Sequence, residues 1–68
     1  MSSITTNTKI VWVPLLFDED DHLINEGNEH DAKEGALYEG IERAKAYISN
    51  TGSYCYAEIR HRVVPIYK

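Results

Sequence analysis

The sequence predicts an α+β fold in the order β-β-α-β, with a three-stranded antiparallel sheet packed on one face by a single helix. Three observations support this fold: an apolar, β-branched segment at residues 9–17, a run of four acidic residues followed by a short second segment, and an amphipathic segment at about residues 32–49. The 68 residues suffice for one domain over residues 1–68. Residues 1–8 lack an apolar run, and we expect them to form a flexible N-terminal tail.

The first predicted strand covers residues 9–17, which are β-branched or aromatic and have no helical period. Its apolar side chains fall on both faces, as in a strand at the centre of a sheet. Pro14 cannot donate a hydrogen bond to a ladder. It therefore predicts a bulge, or a point where one neighbouring strand ends and another begins.

The second predicted strand is short. Residues 18–21 are all acidic and predict a tight hairpin turn, residues 22–25 a return strand, and residues 26–30 a loop that leads to the helix.

The helix is predicted to start at a capping box formed by Asp31 and Glu34 and to stop at Gly52. Small residues at positions 32, 36, 40 and 44 favour close packing of helix on sheet, with helix-to-helix dimerisation as the alternative. Spacing on the helical wheel predicts one stripe of core residues. The stripe contains Leu37, Ile41, Ala44 and Ile48, flanked by Ala36, Gly40 and Tyr47.

The last predicted strand covers residues 53–67, and its alternation separates two sets of side chains. The apolar set, which we expect to face the helix, contains Cys55, Ala57, Ile59 and Val63. The opposite set contains Tyr54, Tyr56, Glu58, Arg60 and Arg62. A chain path without crossings places the first strand between the second and the third.

Charge is distributed unevenly along the chain. Residues 18–42 hold ten of the eleven acidic residues and one basic residue, a net charge of −9, whereas residues 43–68 carry +4. We therefore expect an acidic end that combines the hairpin turn and the helix start. A solvated acidic surface is one interpretation, and a site for a basic, nucleic-acid-binding protein surface is the other. The second interpretation assigns partner binding to Asp18, Glu19, Asp20, Asp21, Glu26 and Glu29.

The uncovered face of the sheet is a second candidate site. Aromatic side chains interleaved with arginines can stack on nucleic-acid bases, and the same residue types are frequent at protein interfaces. We expect this face to bind a partner protein or a second copy, through Trp12, Tyr54, Tyr56, Arg60 and Arg62. Binding of single-stranded nucleic acid is the alternative, although a net charge of −4 opposes it.

Catalysis and metal binding have little support in the sequence. His22, His30, His61 and Cys55 include ligand types, but their spacings do not place two of them together on one element. Cys55 and His61 are six residues apart on one predicted strand, about 20 Å, too far for a nucleophile and its base. We therefore expect no catalytic residues, no metal and no cofactor.

The longest apolar run, residues 10–17, is too short to cross a membrane, and acidic residues follow it where a signal-peptide cleavage site would stand. A single cysteine excludes an intramolecular disulfide. These features predict a cytoplasmic protein.

A short acidic β-β-α-β chain with one cysteine and a turn of four acids resembles the small inhibitors that bacteriophages use against host defence, such as anti-CRISPR proteins. The resemblance lies in the organisation of the chain and not in a motif. It implies a non-catalytic binder that blocks a basic, nucleic-acid-handling surface of a larger host complex, in the cytoplasm of a bacterial cell. The alternative is a homodimeric structural or regulatory subunit.

Overall fold

The computed structural model describes residues 7–66, which form three strands and one helix. The strands are β1 (Thr8–Asp18), β2 (Leu23–Glu26) and β3 (Cys55–Pro65), and the helix is α1 (Lys33–Thr51). The sheet has the order β2-β1-β3, and both pairings are antiparallel. The predicted β-β-α-β fold is therefore confirmed.

The ends of the chain test two predicted boundaries. Residues 1–6 of the predicted tail and residue 67 of the predicted last strand lie outside the described residues. The tail prediction is wrong for its last residue, because Thr8 belongs to β1 and pairs with Pro65. Asn7 also accepts a hydrogen bond from the Ile66 N–H at 2.8 Å.

β1 lies at the centre of the sheet, as its two-sided apolar pattern predicts, and Val11, Val13 and Leu16 are almost fully buried. Pro14 stands where one pairing ends and another begins. Its carbonyl accepts the Gly27 N–H at 2.8 Å, just beyond the end of β2, and two residues earlier Trp12 exchanges two backbone hydrogen bonds with His30. The Pro14 nitrogen, which carries no hydrogen, faces the loop between Gly27 and His30. No hydrogen bond between paired strands is therefore lost.

The pairing of β1 with β3 runs without a shift from Thr8 opposite Pro65 to Asp18 opposite Cys55. Opposite residues of an antiparallel pair share a face. Pro14, paired with Ile59, faces the helix, and Val13, paired with Arg60, lies on the uncovered side. We call that side the open face.

The helix rests on the sheet through its smallest residues, Ala36 and Gly40, both buried. A Cβ at Gly40 would lie 3.2 Å from the Cβ atoms of both Pro14 and Ala57. Close helix-on-sheet packing is thus confirmed. The predicted core stripe is wrong for three of its members. The row of small residues faces the sheet, so the larger side chains next to it point to the side of the helix. Leu37, Ile41 and Ile48 remain 47%, 44% and 42% exposed.

The two helix ends differ from each other. The predicted capping box is wrong: the N-cap is Ala32, which makes no side-chain capping bond. Asp31 instead accepts a hydrogen bond from Lys9 Nζ at 3.2 Å. The glycine stop is confirmed, because Gly52 has a φ of 72° and donates its N–H to the Ile48 carbonyl. No helix among residues 7–66 is both long and apolar enough to cross a bilayer.

Candidate functional site

The acidic turn, defined as Asp18, Glu19, Asp20 and Asp21, is built partly by its own carboxylates. Asp18 Oδ1 accepts the backbone N–H groups of Asp20 and His22, each at 2.9 Å. The hydrogen bond from the His22 backbone is the main cause that lowers the pKa of Asp18. Asp21 has a φ of 65°, a left-handed conformation that Asp adopts more readily than most residues. These two residues therefore shape the turn.

Asp21 also ties the turn to β3. The Tyr56 hydroxyl donates a hydrogen bond to Asp21 Oδ1 at 2.6 Å. This bond raises the pKa of Tyr56 to about 12. The Tyr56 ring stacks on Phe17, with ring centroids 5.4 Å apart. The end of the hairpin is thereby held against the start of β3.

Glu19 and Asp20 have a different role. Both are exposed, and within residues 7–66 neither carboxylate makes a hydrogen bond or an ion pair. They lie between two further acids, so their charges repel one another. Nothing in the described fold depends on either charge.

The other acids in the charged half of the chain are mostly neutralised by bases from elsewhere. Among the described residues, five of the six lysines and arginines pair with carboxylates outside the acidic turn, and the ammonium of the sixth, Lys33, lies over the Trp12 ring. The pairs are Lys9 with Asp31, Arg43 with Glu39, Lys45 with Glu42, Arg60 with Glu58, and Arg62 with Glu26 and Glu29. The acidic turn, in which only Asp18 contacts a basic side chain, His22 Nδ1 at 3.5 Å, is therefore the largest group of charges in residues 7–66 without a lysine or arginine partner.

The predicted combined acidic end is wrong. The acidic turn begins at Asp18, which pairs with Cys55 just after the helix C-terminus. The helix start lies by His30, at the Trp12 end of the strand, and six residues separate Trp12 from Asp18, about 20 Å. Glu26 and Glu29 belong to neither end, since both carboxylates contact the Arg62 guanidinium, at 3.0 and 3.5 Å.

The second candidate site also differs from its prediction. Trp12 pairs with His61 and lies on the helix side of the sheet, so its predicted place beside Tyr56 on the open face is wrong. Arg60 lies over the Phe17 ring at 5.6 Å, and Arg62 reaches across to Glu26. Tyr54 is 59% exposed. The open face is thus a layer of paired charges over an aliphatic row, with tyrosines at one end.

Sequence reasoning missed a cluster of hydrogen bonds around Glu39, whose side chain is 14% exposed. Its carboxylate accepts bonds from His30 Nε2 at 2.5 Å, Arg43 Nε at 2.5 Å, and the backbone and side-chain nitrogens of Asn28. Burial raises the pKa of Glu39, but these hydrogen bonds outweigh it, and the pKa is lowered. The cluster fastens the loop after β2 to the helix. Only the spacing of Glu39 and Arg43 signals it in the sequence.

Two sites contain the residue types that metal binding or nucleophilic catalysis requires. The ligand atoms of Asp18, Asp20 and His22 lie within 4.8 Å of one another, a grouping that the spacing of the His and Cys residues does not predict. Asp18 already uses one oxygen for two backbone bonds. Cys55 is buried, and burial raises the pKa of its thiol, which opposes a nucleophilic role.

A shallow cleft of about 250 Å³ lies between the helix and β2. Its walls are mostly apolar, and Arg43, paired with Glu39, stands at its rim. The lining residues are Leu16, Ile24, Asn25, Arg43, Ala46 and Tyr47.

Comparisons of the chain with protein-family models, curated proteins and solved structures found no match.

Proposed function

We propose that this protein is a non-catalytic inhibitor that binds a larger protein or nucleoprotein complex and blocks its basic, nucleic-acid-handling surface. It would act in the cytoplasm of a bacterial host, as the phage-encoded inhibitors that it resembles do. The observation that carries the proposal is the unneutralised acidic turn. Glu19 and Asp20 have no partner among residues 7–66, while most acids elsewhere are paired.

The spacing of the charges suits a surface that normally holds phosphate. One strand of DNA carries one negative charge for about every 3.4 Å of helix axis. The Asp21 N–H bonds to the Asp18 carbonyl at 3.0 Å, so the four acids form a tight turn whose first and last Cα atoms lie less than about 7 Å apart, and its local negative charge is at least as dense as that of a phosphate strand. Lysines and arginines that hold phosphates would then meet carboxylates instead. Such contacts speed association and give it a strong dependence on salt.

Direct binding of single-stranded nucleic acid has less support. The arginines of the open face already contact carboxylates, Arg60 with Glu58 and Arg62 with Glu26. A nucleic acid would have to displace both pairs while meeting a net charge of −4.

The test is capture of partners from a nuclease-treated bacterial lysate with three immobilised baits. These are the wild-type chain, Glu19→Gln/Asp20→Asn, and the matched control Glu26→Gln/Glu29→Gln. Both variants remove two negative charges, so a non-specific charge effect would weaken both equally. We expect a nucleic-acid-handling protein to be retained by the wild type and the control and lost from the turn variant, and added nucleic acid to elute it. Equal retention by all three baits would show that the turn is not the binding site.

A further inference from the structure

The outer edge of β3 has no neighbouring strand in the described part of the chain. β3 has 11 residues, and its pairing with β1 contains no bulge. Trp12 exchanges hydrogen bonds with His30 on the β2 side, so the odd-numbered residues of β1 bond towards β3. By the same alternation, the odd-numbered residues of β3 direct their N–H and C=O groups outwards. A long, regular edge of this kind is a template for another strand.

An apolar strip of the helix lies beside this edge. At 100° per residue, Leu37, Ile41 and Ile48 fall within an arc of about 40°, and we call them the helix flank. The sheet-facing residue Gly40 lies to one side of this arc, and Arg43 and Ala46 of the cleft lie further round in the same direction. Because the cleft is on the β2 side, the helix flank is on the β3 side. The three side chains of the helix flank are 42–47% exposed there.

We propose that two copies of this chain associate through the outer edge of β3 and the helix flank. The two β3 strands pair antiparallel about a two-fold axis perpendicular to the sheet. The result is a continuous six-stranded sheet with both helices on one face.

The layer geometry fits this arrangement. The helix lies over β1 and β3, with Gly40 between Pro14 and Ile59. Its axis is therefore about half a strand spacing inside β3, and the two-fold axis is half a spacing outside it. With strands about 4.8 Å apart, the two helix axes would be about 10 Å apart, the distance at which helices pack. The two helix flanks would then meet while the β3 edges pair.

Charge complementarity selects the register. With Ile59 opposite Ile59 of the second copy, Glu58 faces Arg60 twice, once on each side of the axis. A relative shift of the two strands by two residues in one direction would place Arg60 opposite Arg60, and the same shift in the other direction would place Glu58 opposite Glu58. On the helices, which also run antiparallel, Glu34 near the start would approach Lys45 of the second copy.

The contact area is sufficient for a stable dimer. In this register nine residues of each β3 overlap, a length of about 30 Å. A strand layer and a helix layer together are about 20 Å thick, so each copy would contribute about 600 Å². The total reaches the lower end of the 1,200–2,000 Å² that stable interfaces bury. The acidic turn stays free, and the two turns would lie about 40 Å apart, at about 3.3 Å per residue and about 4.8 Å per strand, so the dimer would be a bivalent form of the proposed binder.

Sedimentation equilibrium on four chains tests the register: wild type, Glu58→Arg, Arg60→Glu, and the double swap Glu58→Arg/Arg60→Glu. Each single reversal places like charges opposite each other, and we expect it to raise the dimer Kd at least tenfold. The double swap restores opposite charges and should return the Kd to within about threefold of the wild-type value. Circular dichroism confirms that each variant is folded. A wild-type chain that is strictly monomeric at high micromolar concentration would overturn the proposal, as would equal Kd values for all four chains.

A second pair of variants tests the helix flank independently of the strand. Ile41→Asp should abolish the dimer, because Ile41 is the middle residue of the helix flank along the helix and lies next to Gly40, which is packed against Ile59 at the two-fold axis. Leu23→Asp is the matched control, since Leu23 is 53% exposed but lies on β2, at the other edge of the sheet. It should leave the dimer intact. Loss of the dimer in the control alone would place the interface at the β2 edge of the sheet and refute the proposal.

Discussion

The acidic turn and the segment that runs from β2 into the helix are both acidic in the sequence but differ in the folded chain. In the second region, Glu26, Glu29 and Asp31 each meet a base, either Arg62 or Lys9. These bases come from opposite ends of the chain and arrive only when the sheet forms. The acidic turn begins at the last residue of β1 and continues beyond the strand, and among residues 7–66 no lysine or arginine pairs with it. Charge density along the sequence is therefore a poor measure of the charge that remains available to a partner.

Among the paired acids, we expect the largest loss of stability from a substitution of Glu39. Replacing Glu39 by Ala leaves the donors of His30, Arg43 and Asn28 without their acceptor. We expect a loss of about 2 kcal/mol in the free energy of unfolding, or about 10 °C in Tm, since hydrogen bonds to charged groups contribute most. Thermal unfolding measures this. Glu42→Ala is the control, because its exposed pair with Lys45 at 3.6 Å should contribute little. Equal losses would show that the Glu39 cluster adds nothing special.

Acid should weaken both regions through their structured carboxylates. Hydrogen bonds lower the folded-state pKa of Glu39, against the opposing effect of its burial, and the backbone N–H of His22 lowers that of Asp18. A lowered folded-state pKa contributes stability that is complete above the unfolded pKa and is lost as the pH falls through the folded one. Urea unfolding should therefore give a plateau above about pH 5 and a decline below it. Glu39→Gln should flatten the upper part of that decline, and an unchanged profile in this variant would contradict the assignment.

Base should loosen the contact that holds the turn to β3. The pKa of Tyr56 is raised from its ordinary value of 10.0 to about 12, because its hydroxyl donates to Asp21. The stability from this proton is complete below pH 10 and is lost as the pH rises through about 12. Tyrosinate absorbance should show one late step, absent in Tyr56→Phe and moved to lower pH in Asp21→Asn. A late step that survives in Tyr56→Phe would assign it to another tyrosine.

The order and type of the elements could be predicted because local signals agree with the fold. The apolar β1, the acidic hairpin and Gly52 all specify their structures within a few residues. The prediction of a capping box was wrong because Lys9, more than twenty residues away, binds Asp31. The predicted face of Trp12 was wrong because a change of one residue in the register moves every side chain of a strand to the opposite face of the sheet. The sequence contains no direct record of that register.

The predicted core face of the helix was wrong for a related reason. Burial on α1 is decided by how closely the helix approaches Pro14 and Ala57, and a close approach favours Gly40 over the larger Leu37 and Ile41. A hydrophobic pattern ranks side chains by their affinity for an apolar core, so it places the large ones inwards. The same error hid the helix flank, which only the folded arrangement reveals.

The free acids of the turn should affect stability least and partner binding most. Glu19→Gln/Asp20→Asn removes two charges that make no contacts within residues 7–66, so Tm should stay within about 2 °C of the wild-type value or rise. The captured partner should nevertheless associate more slowly with this variant, and the dependence of the association rate on salt should become shallower, because the charges that steer the encounter are gone. Asp18→Ala, which removes the acceptor for the Asp20 and His22 amides, should instead lower Tm. Association rates measured across a salt series separate the two effects. A large loss of stability in the first variant with unchanged association would make all four acids structural and leave the turn without a role in binding.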